Sequence, residues 1–226
     1  MTATIGSDAQ GLADRLRALA GFSWEPPGGG LAGEGLDGRV LLGICGPPGA
    51  GKSTLAVELA RILGPDTAVV VPMDGFHLAT DIIRDTPLLE RRGAIDTFDA
   101  GSYLSLLRRL RSRDEEVVYA PSFRRGLEEP IASSVAIPRR MPVIITEGNY
   151  LLANAPEWRA IRGELDAVWY LDTPAPVRMP RLIGRHVEFG RSETDATAFA
   201  LGSDQANAEL IASTREDADL IVTLTG

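Results

Sequence analysis

The chain has 226 residues, 23 of them cationic and 31 acidic, for a formal charge of −8. This length fits one domain, or one domain carrying a lid or insertion, and 44% hydrophobic against 24% charged residues excludes a disordered or fibrous chain. The acidic balance argues against a protein built to grip nucleic acid or an anionic membrane, although an anionic substrate can still enter a locally basic cleft.

Residues 8–20 read as an amphipathic helix with Leu12, Leu16 and Leu19 on one face. The Gly- and Pro-rich stretch 21–38 reads as a linker, so the chain divides into an N-terminal segment, 1–38, and a main domain, 39–226. Residues 39–45 are a short apolar run, as in a buried parallel strand. A glycine-rich turn, a helix at 53–63 and a second strand at 68–73 follow. Residues 75–98 are irregular, with a short helix near 77–84. A helix at 102–113 turns Leu104, Leu107 and Leu110 inward, and a strand at 117–120 leads into an excursion or hairpin up to 140. Then come a strand at 142–148, a helix at 155–165 and a strand at 167–172. A helix at 175–188, a polar loop, a helix at 204–217 and a strand at 219–224 complete the pattern. Strands alternating with helices predict an α/β domain of three layers, α/β/α, around a mostly parallel sheet. Right-handed crossovers bring the C-terminal ends of the strands to one edge, where ligands sit in such sheets.

Cysteine and histidine counts narrow the chemistry. Cys45 is the only cysteine, which excludes an internal disulfide and a cysteine-based zinc site, and His77 and His186 are the only histidines. No apolar run reaches the roughly 18 residues of a membrane span, and no basic-then-apolar leader is visible, so a cytoplasmic location is expected. Of the 23 cationic residues 22 are arginine; the single lysine is Lys52.

That lysine falls in Gly46-Pro47-Pro48-Gly49-Ala50-Gly51-Lys52-Ser53, followed by Thr54, a match to G-x-x-x-x-G-K-[ST] between a strand and a helix. Glycines let backbone N–H groups converge on phosphate oxygens, and the helix adds its positive end. Lys52 reaches the β- and γ-phosphates as a point charge, and Ser53 offers a hydroxyl to Mg²⁺. Nucleoside triphosphate and Mg²⁺ are therefore the expected ligands. Cys45, just before the motif, reads as a small core residue.

Two other strands end in carboxylates on the same edge. Asp74, after the second strand, is placed to accept the proton of an attacking hydroxyl, although Asp-Gly is also a common turn pair. Glu147, after the apolar run 142–146, is the Walker-B-like acid expected to hold the Mg²⁺ shell.

The P-loop, Asp74-Gly75-Phe76-His77, Arg92-Gly93-Ala94 with Asp96-Thr97-Phe98-Asp99, and Glu147-Gly148-Asn149-Tyr150 together resemble the P-loop kinases grouped with uridine kinase, bacterial pantothenate kinase and phosphoribulokinase. The likeness is strongest to a bacterial nucleoside/nucleotide kinase-like subgroup, sometimes called fructose-type kinase, and runs from about residue 40 to the end. The resemblance implies that Asp74 is the base and Glu147 the Mg²⁺-associated acid. It implies an acceptor pocket drawn from Phe76, His77, Arg92, Asp96, Phe98, Asn149 and Tyr150, with residues 91–99 and the stretch from Tyr119 to Pro130. A lid at about 178–195 would bring Arg178, Arg181, Arg185 and Arg191 onto the phosphates, with Arg181 and Arg185 the main contacts and Arg185 catalytic. Residues 203–208 would lie near the nucleotide. Relatives are often dimers, so a homodimer is an expected assembly. The chain departs from the pattern at Arg124, where relatives carry an acidic residue, and at Pro180, which kinks the lid helix or starts it.

The lid also follows from spacing. Arg178, Arg181 and Arg185 share one helical face, and guanidinium groups suit phosphate oxygens, although a solvated charged face is the default. His77 reads equally as a contact near the base or as structure, and His186 as structure. Asp96 and Asp99 read equally as acceptor ligands or as caps of a helix near 100. Trp24, Trp158 and Trp169 read as packing. The expected activity is transfer of the γ-phosphoryl group of ATP to a small-molecule acceptor with a free hydroxyl, a nucleoside first, pantothenate or a sugar second. A regulatory P-loop ATPase acting on a protein partner is the reading from another class.

Overall fold

A computed structural model of the protein describes residues 3–21 and 39–224. The Gly/Pro-rich stretch from 22 and Trp24 lie outside the described residues. Six strands form one parallel sheet in the order β1-β8-β7-β2-β6-β3. In chain order they are β1 (Ala3–Ser7), β2 (Val40–Cys45), β3 (Ala68–Pro72), β6 (Val143–Gly148), β7 (Ala167–Leu171) and β8 (Leu220–Leu224). Strands β4 (Val117–Arg124) and β5 (Glu129–Pro138) form a separate antiparallel hairpin.

The central strands are apolar on both faces because helices cover both. Along β2, Leu41 and Cys45 join one core, Leu42 and Ile44 the other, as period-two alternation requires. On the first side lie α4 (Ala100–Ser112), α5 (Pro156–Gly163) and α8 (Ser203–Ala212), through Tyr103, Leu107, Leu110, Trp158, Ile161 and Ile211. On the second lie α1 (Ala9–Leu19) and α2 (Lys52–Leu63), through Leu12, Leu16, Leu55 and Leu59. Each such fully buried side chain stabilises the fold by about 1.5–3 kcal/mol before entropy is charged against it. Trp158 and Trp169 are buried in these cores. Arg39 locks one corner: its guanidinium donates to the carbonyls of Leu110, Pro138, Arg139 and Met141 at 2.6–3.0 Å, and burial lowers its pKa to about 10. The remaining elements are α3 (Thr80–Ile83), α6 (Ala175–Glu188) and α7 (Glu193–Leu201).

Several expectations are corrected. Residues 3–7 are a strand, paired in parallel with β8, and α1 packs on α2. The described part of the 1–38 segment thus belongs to the same sheet and core as the domain beginning at 39. Leu12 and Leu16 are buried, but Leu19, the last residue of α1, is 45% exposed. The expected polar loop after 188 contains α7, whose N-cap is Ser192 and whose buried residues are only Ala196 and Ala200. Helix α6 neither starts nor ends at Pro180 but runs through it. The excursion after 120 is a full hairpin with a register shift between Ala120 and Ser122.

Candidate active site

The P-loop spans the end of β2 and the start of α2. Gly49 has a φ of +80°, and a Cβ there would lie 2.7 Å from the Arg178 carbonyl oxygen, so only glycine lets α6 seat against the loop. Lys52 is buried and donates from Nζ to the Pro47 carbonyl at 3.1 Å. Burial lowers its pKa, against the opposing charges of Glu147 and Asp74. Ser53 Oγ donates to Glu147 Oε1 at 3.0 Å. Burial, then the charge of Asp74, raises the Glu147 pKa. Cys45 stays a buried thiol, its Sγ on the Asn149 carbonyl at 3.2 Å and its pKa raised by burial to about 11.

A cleft of about 870 Å³ runs along this edge. Pro48 to Thr54, Asp74, His77, Arg92, Phe98, Glu147, Asn149, Arg181 and Arg185 all line it. Asp74 sits on the one-turn segment Met73–Phe76 that continues β3. Gly75 in that turn is pressed under the hairpin, where a Cβ would lie 2.5 Å from the Pro121 carbonyl oxygen. His77 donates from Nδ1 to the Asp74 carbonyl at 2.8 Å and packs between Phe98 and Phe123, with ring centroids 4.1 and 4.8 Å away. Burial lowers its pKa. Arg92 donates to Thr80 Oγ1 at 2.8 Å, faces Glu129 at 3.7 Å and lies over the Phe123 ring.

Other expected residues lie elsewhere. Asp96 pairs with Arg91 on the surface, and Asp99 caps α4 by accepting from Ser102 N–H at 2.9 Å. Tyr119 is 55% exposed on the outer side of the hairpin. Phe76 and Tyr150 are buried in the aromatic core beside Tyr103 and Trp158, and Tyr150 Oη donates to the Gly93 carbonyl at 2.6 Å. They brace the pocket from behind rather than line it. Gly46 and Pro47 form the back of the P-loop, outside the cleft lining.

The lid arginines divide. Arg178 is buried and ties α6 to the P-loop and α8, donating to the Pro48 carbonyl at 3.4 Å and Gln205 Oε1 at 2.7 Å. Arg181 and Arg185 face the cleft, and burial lowers the Arg185 pKa. Arg191 lines the cleft while lying 3.9 Å over the Phe199 ring. His186 contacts Asp204 Oδ2 at 2.7 Å and joins α6 to α8.

Phe123, Arg125, Phe189, Phe199 and Asp204 also line the cleft, although the sequence reading assigned none of them individually. Arg125 lies 3.5 Å from Asp74 Oδ2. The departure at Arg124 therefore matters less than its neighbour, because Arg125 and not Arg124 lines the cleft. Strand alternation alone points Phe123 opposite to Arg124, which was the available signal for one of these residues.

No family model matches the sequence. A protein of Schizosaccharomyces pombe named "Putative uridine kinase C227.14" is 36% identical over 169 residues, which span 71% of this chain and 72% of that protein. The crystal structure of a "putative fructose transport system kinase" from Silicibacter sp. TM1040 is 34% identical and superposes with a TM-score of 0.78 over 96% of this chain and 99% of that one. YFH7 from Saccharomyces cerevisiae, described as "a putative P-loop containing kinase with a circular permutation", shares the fold at 20% identity, with a TM-score of 0.76 over 97% of this chain and 100% of that one. With the P-loop, the sheet order and these likenesses in place, the chain belongs to the P-loop kinase family of uridine kinase-like and YFH7-like ATP-dependent kinases.

Proposed function

We propose that this protein transfers the γ-phosphoryl group of ATP to a hydroxyl of a small metabolite. The observation that carries this reading is the convergence of Lys52, Ser53, Asp74 and Glu147 on one cleft that also holds an aromatic and cationic pocket beyond Asp74. P-loop amides and Lys52 hold the β- and γ-phosphates, and Arg181 and Arg185 stabilise the charge spread over the transferring group. The acceptor oxygen bonds to the γ-phosphorus while the bond from that phosphorus to the β–γ bridging oxygen breaks. The hydroxyl proton passes to the Asp74 carboxylate, and ADP departs.

Ser53 Oγ and the Glu147 carboxylate are hard oxygen donors held together at 3.0 Å, a set that fits Mg²⁺. They would hold the ion, which when bound neutralises charge on the phosphate oxygens.

The wall formed by His77, Phe98 and Phe123 suits the flat face of a nucleoside base, and uridine is the acceptor in the fission-yeast relative's name. Fructose, in the name of the Silicibacter structure, and pantothenate are the alternatives. The test is ADP formation with uridine, cytidine, adenosine, pantothenate, fructose and ribulose 5-phosphate against a blank without acceptor. One acceptor should raise ADP release far above the blank. Asp74→Asn should keep ATP binding and lose about 10²–10⁴-fold in turnover. Near-normal turnover in that variant removes Asp74 from the mechanism, and release unchanged by every acceptor favours a regulatory ATPase.

A further inference from the structure

The acceptor side of the cleft carries a cation that this chemistry leaves unused. Arg125 sits in the turn between β4 and β5. That turn is tightly built: the N–H groups of Leu127 and Glu128 both return to the Arg124 carbonyl, at 3.3 and 3.0 Å. Gly126 and Glu128 have φ values of +88° and +55°, so the turn presents Arg125 in a defined direction.

The Arg125 guanidinium lines the cleft, 5.6 Å over the Phe189 ring and 3.5 Å from Asp74 Oδ2. Among the described residues it makes no hydrogen bond, which leaves a five-donor fork facing one carboxylate at long range. Arg181 and Arg185 also line the cleft without a hydrogen bond among the described residues, but the kinase reading commits them to the transferring phosphoryl group; Arg92 and Arg178 differ. Arg92 is engaged by Thr80, the Leu78 carbonyl and Glu129, and Arg178 by Pro48 and Gln205. Two other acids line the cleft here, but Glu128 accepts the Gly126 N–H at 3.3 Å and Asp204 is held by His186. A planar fork with one distant ion-pair partner and no hydrogen bond, 37% exposed beside the reacting carboxylate, matches an anion that offers two oxygens.

We propose that Arg125 determines acceptor specificity and that the acceptor is anionic, a small carboxylate or phosphate ester bearing the reacting hydroxyl. The inference rests on the kinase reading and, within it, sets an anionic acceptor of the pantothenate kind ahead of uridine and fructose. An acceptor anion takes the Arg125 fork, and Arg125 leaves the approach to Asp74 Oδ2. The carboxylate then faces the hydroxyl. A neutral acceptor offers nothing to draw Arg125 away, so choice of acceptor and exposure of the base become one event.

The test compares kcat/KM for matched pairs: glycerol with D-glycerate, panthenol with pantothenate, and ribose with ribose 5-phosphate, with uridine and fructose as further neutral acceptors. The carboxylate and phosphate arms distinguish the two anions. In the wild type at least one anionic member should exceed its neutral partner more than about tenfold. In Arg125→Gln that ratio should fall about tenfold or more, mainly through KM; Arg125→Lys should recover only part, since charge without the fork is retained. A best acceptor that is neutral, or a preference that survives Arg125→Gln, overturns the inference and leaves the kinase reading intact. A second measurement separates the two further. With the P-loop filled by a non-hydrolysable ATP analogue, D-glycerate, pantothenate and ribose 5-phosphate are titrated calorimetrically. A Kd weakened about tenfold in Arg125→Gln supports the inference even without turnover; equal Kd values, or no binding by any of the three, overturn it.

Discussion

The two ends of the cleft are built on different plans. The nucleotide end comes from one contiguous motif at a strand–helix junction, held by main-chain geometry and by α6 pressing on Gly49. The acceptor end comes from separate segments: the turn after β3, residues 92–98, the hairpin tip and the end of α6. The first end is rigid because its strand is buried in the middle of the sheet. The second depends on a hairpin whose strands lie outside that sheet. A contiguous motif fixes what all members of such a family do in common; an assembled pocket is where they can differ.

The sharpest way to break this asymmetry is at Lys52. It is 8% exposed; burial lowers its pKa, while Glu147 and Asp74 favour its charged form. Lys52→Met keeps the aliphatic stem and removes the charge from the phosphates. Turnover should fall about 10²–10³-fold, the range for removing one preorganised charge-stabilising donor. The circular-dichroism spectrum should be unchanged. ADP formation under saturating acceptor checks it, and a loss below threefold places the γ-phosphate elsewhere.

A smaller effect tests the acceptor end. Gly75→Ala adds a Cβ that meets the Pro121 carbonyl carbon and oxygen at 2.7 and 2.5 Å, both backbone atoms that cannot rotate away. The hairpin must shift, at a cost of about 1–3 kcal/mol. Chemical denaturation should show that loss. If the two ends are as separate as described, the acceptor KM should rise while the ATP KM changes less than twofold. Equal rises in both would show that the hairpin braces the P-loop as well.

The same contrast explains what was legible in the sequence. The P-loop, Asp74 and Glu147 could be read because each lies at the end of an apolar run, and chain order alone puts those ends on one edge. Strand β1 could not be read so, because Ala3–Ser7 is short and lacks a run of β-branched residues; its place comes from pairing with β8, distant in sequence. Helix α7 has no apolar stripe, and only alanines are buried on it. Asp96 and Asp99 looked equivalent as carboxylates near a helix start. Backbone position separated them: Asp99 meets the Ser102 N–H, whereas Asp96 lies on the turn before and finds Arg91. Arg125 needed the hairpin turn itself, because strand alternation stops at Arg124.

The finest test concerns His77, which joins the base-bearing turn to the acceptor wall. A carbonyl can only accept, so its contact with Asp74 O requires a proton on Nδ1, and the neutral ring then carries its lone pair on Nε2. A second proton would place a charge between Phe98 and Phe123 and near Arg92 and Arg125, and burial already lowers the pKa below the ordinary 6.5. The native protein therefore binds fewer protons than the unfolded chain once the pH falls below about 6.5, the unfolded value. Stability associated with the neutral ring is complete above that pH and declines as the pH drops from 6.5 towards the lowered native value. His77→Asn offers an amide N–H to the same carbonyl and does not titrate. Melting temperatures from pH 7.5 to 5 should fall less steeply for His77→Asn than for the wild type, with the two curves separating only below about pH 6.5. Parallel curves would mean that His77 takes up its second proton as readily in the folded protein as in water. The aromatic wall would then be open to solvent, and the acceptor pocket far less enclosed than the packing of Phe98 and Phe123 implies.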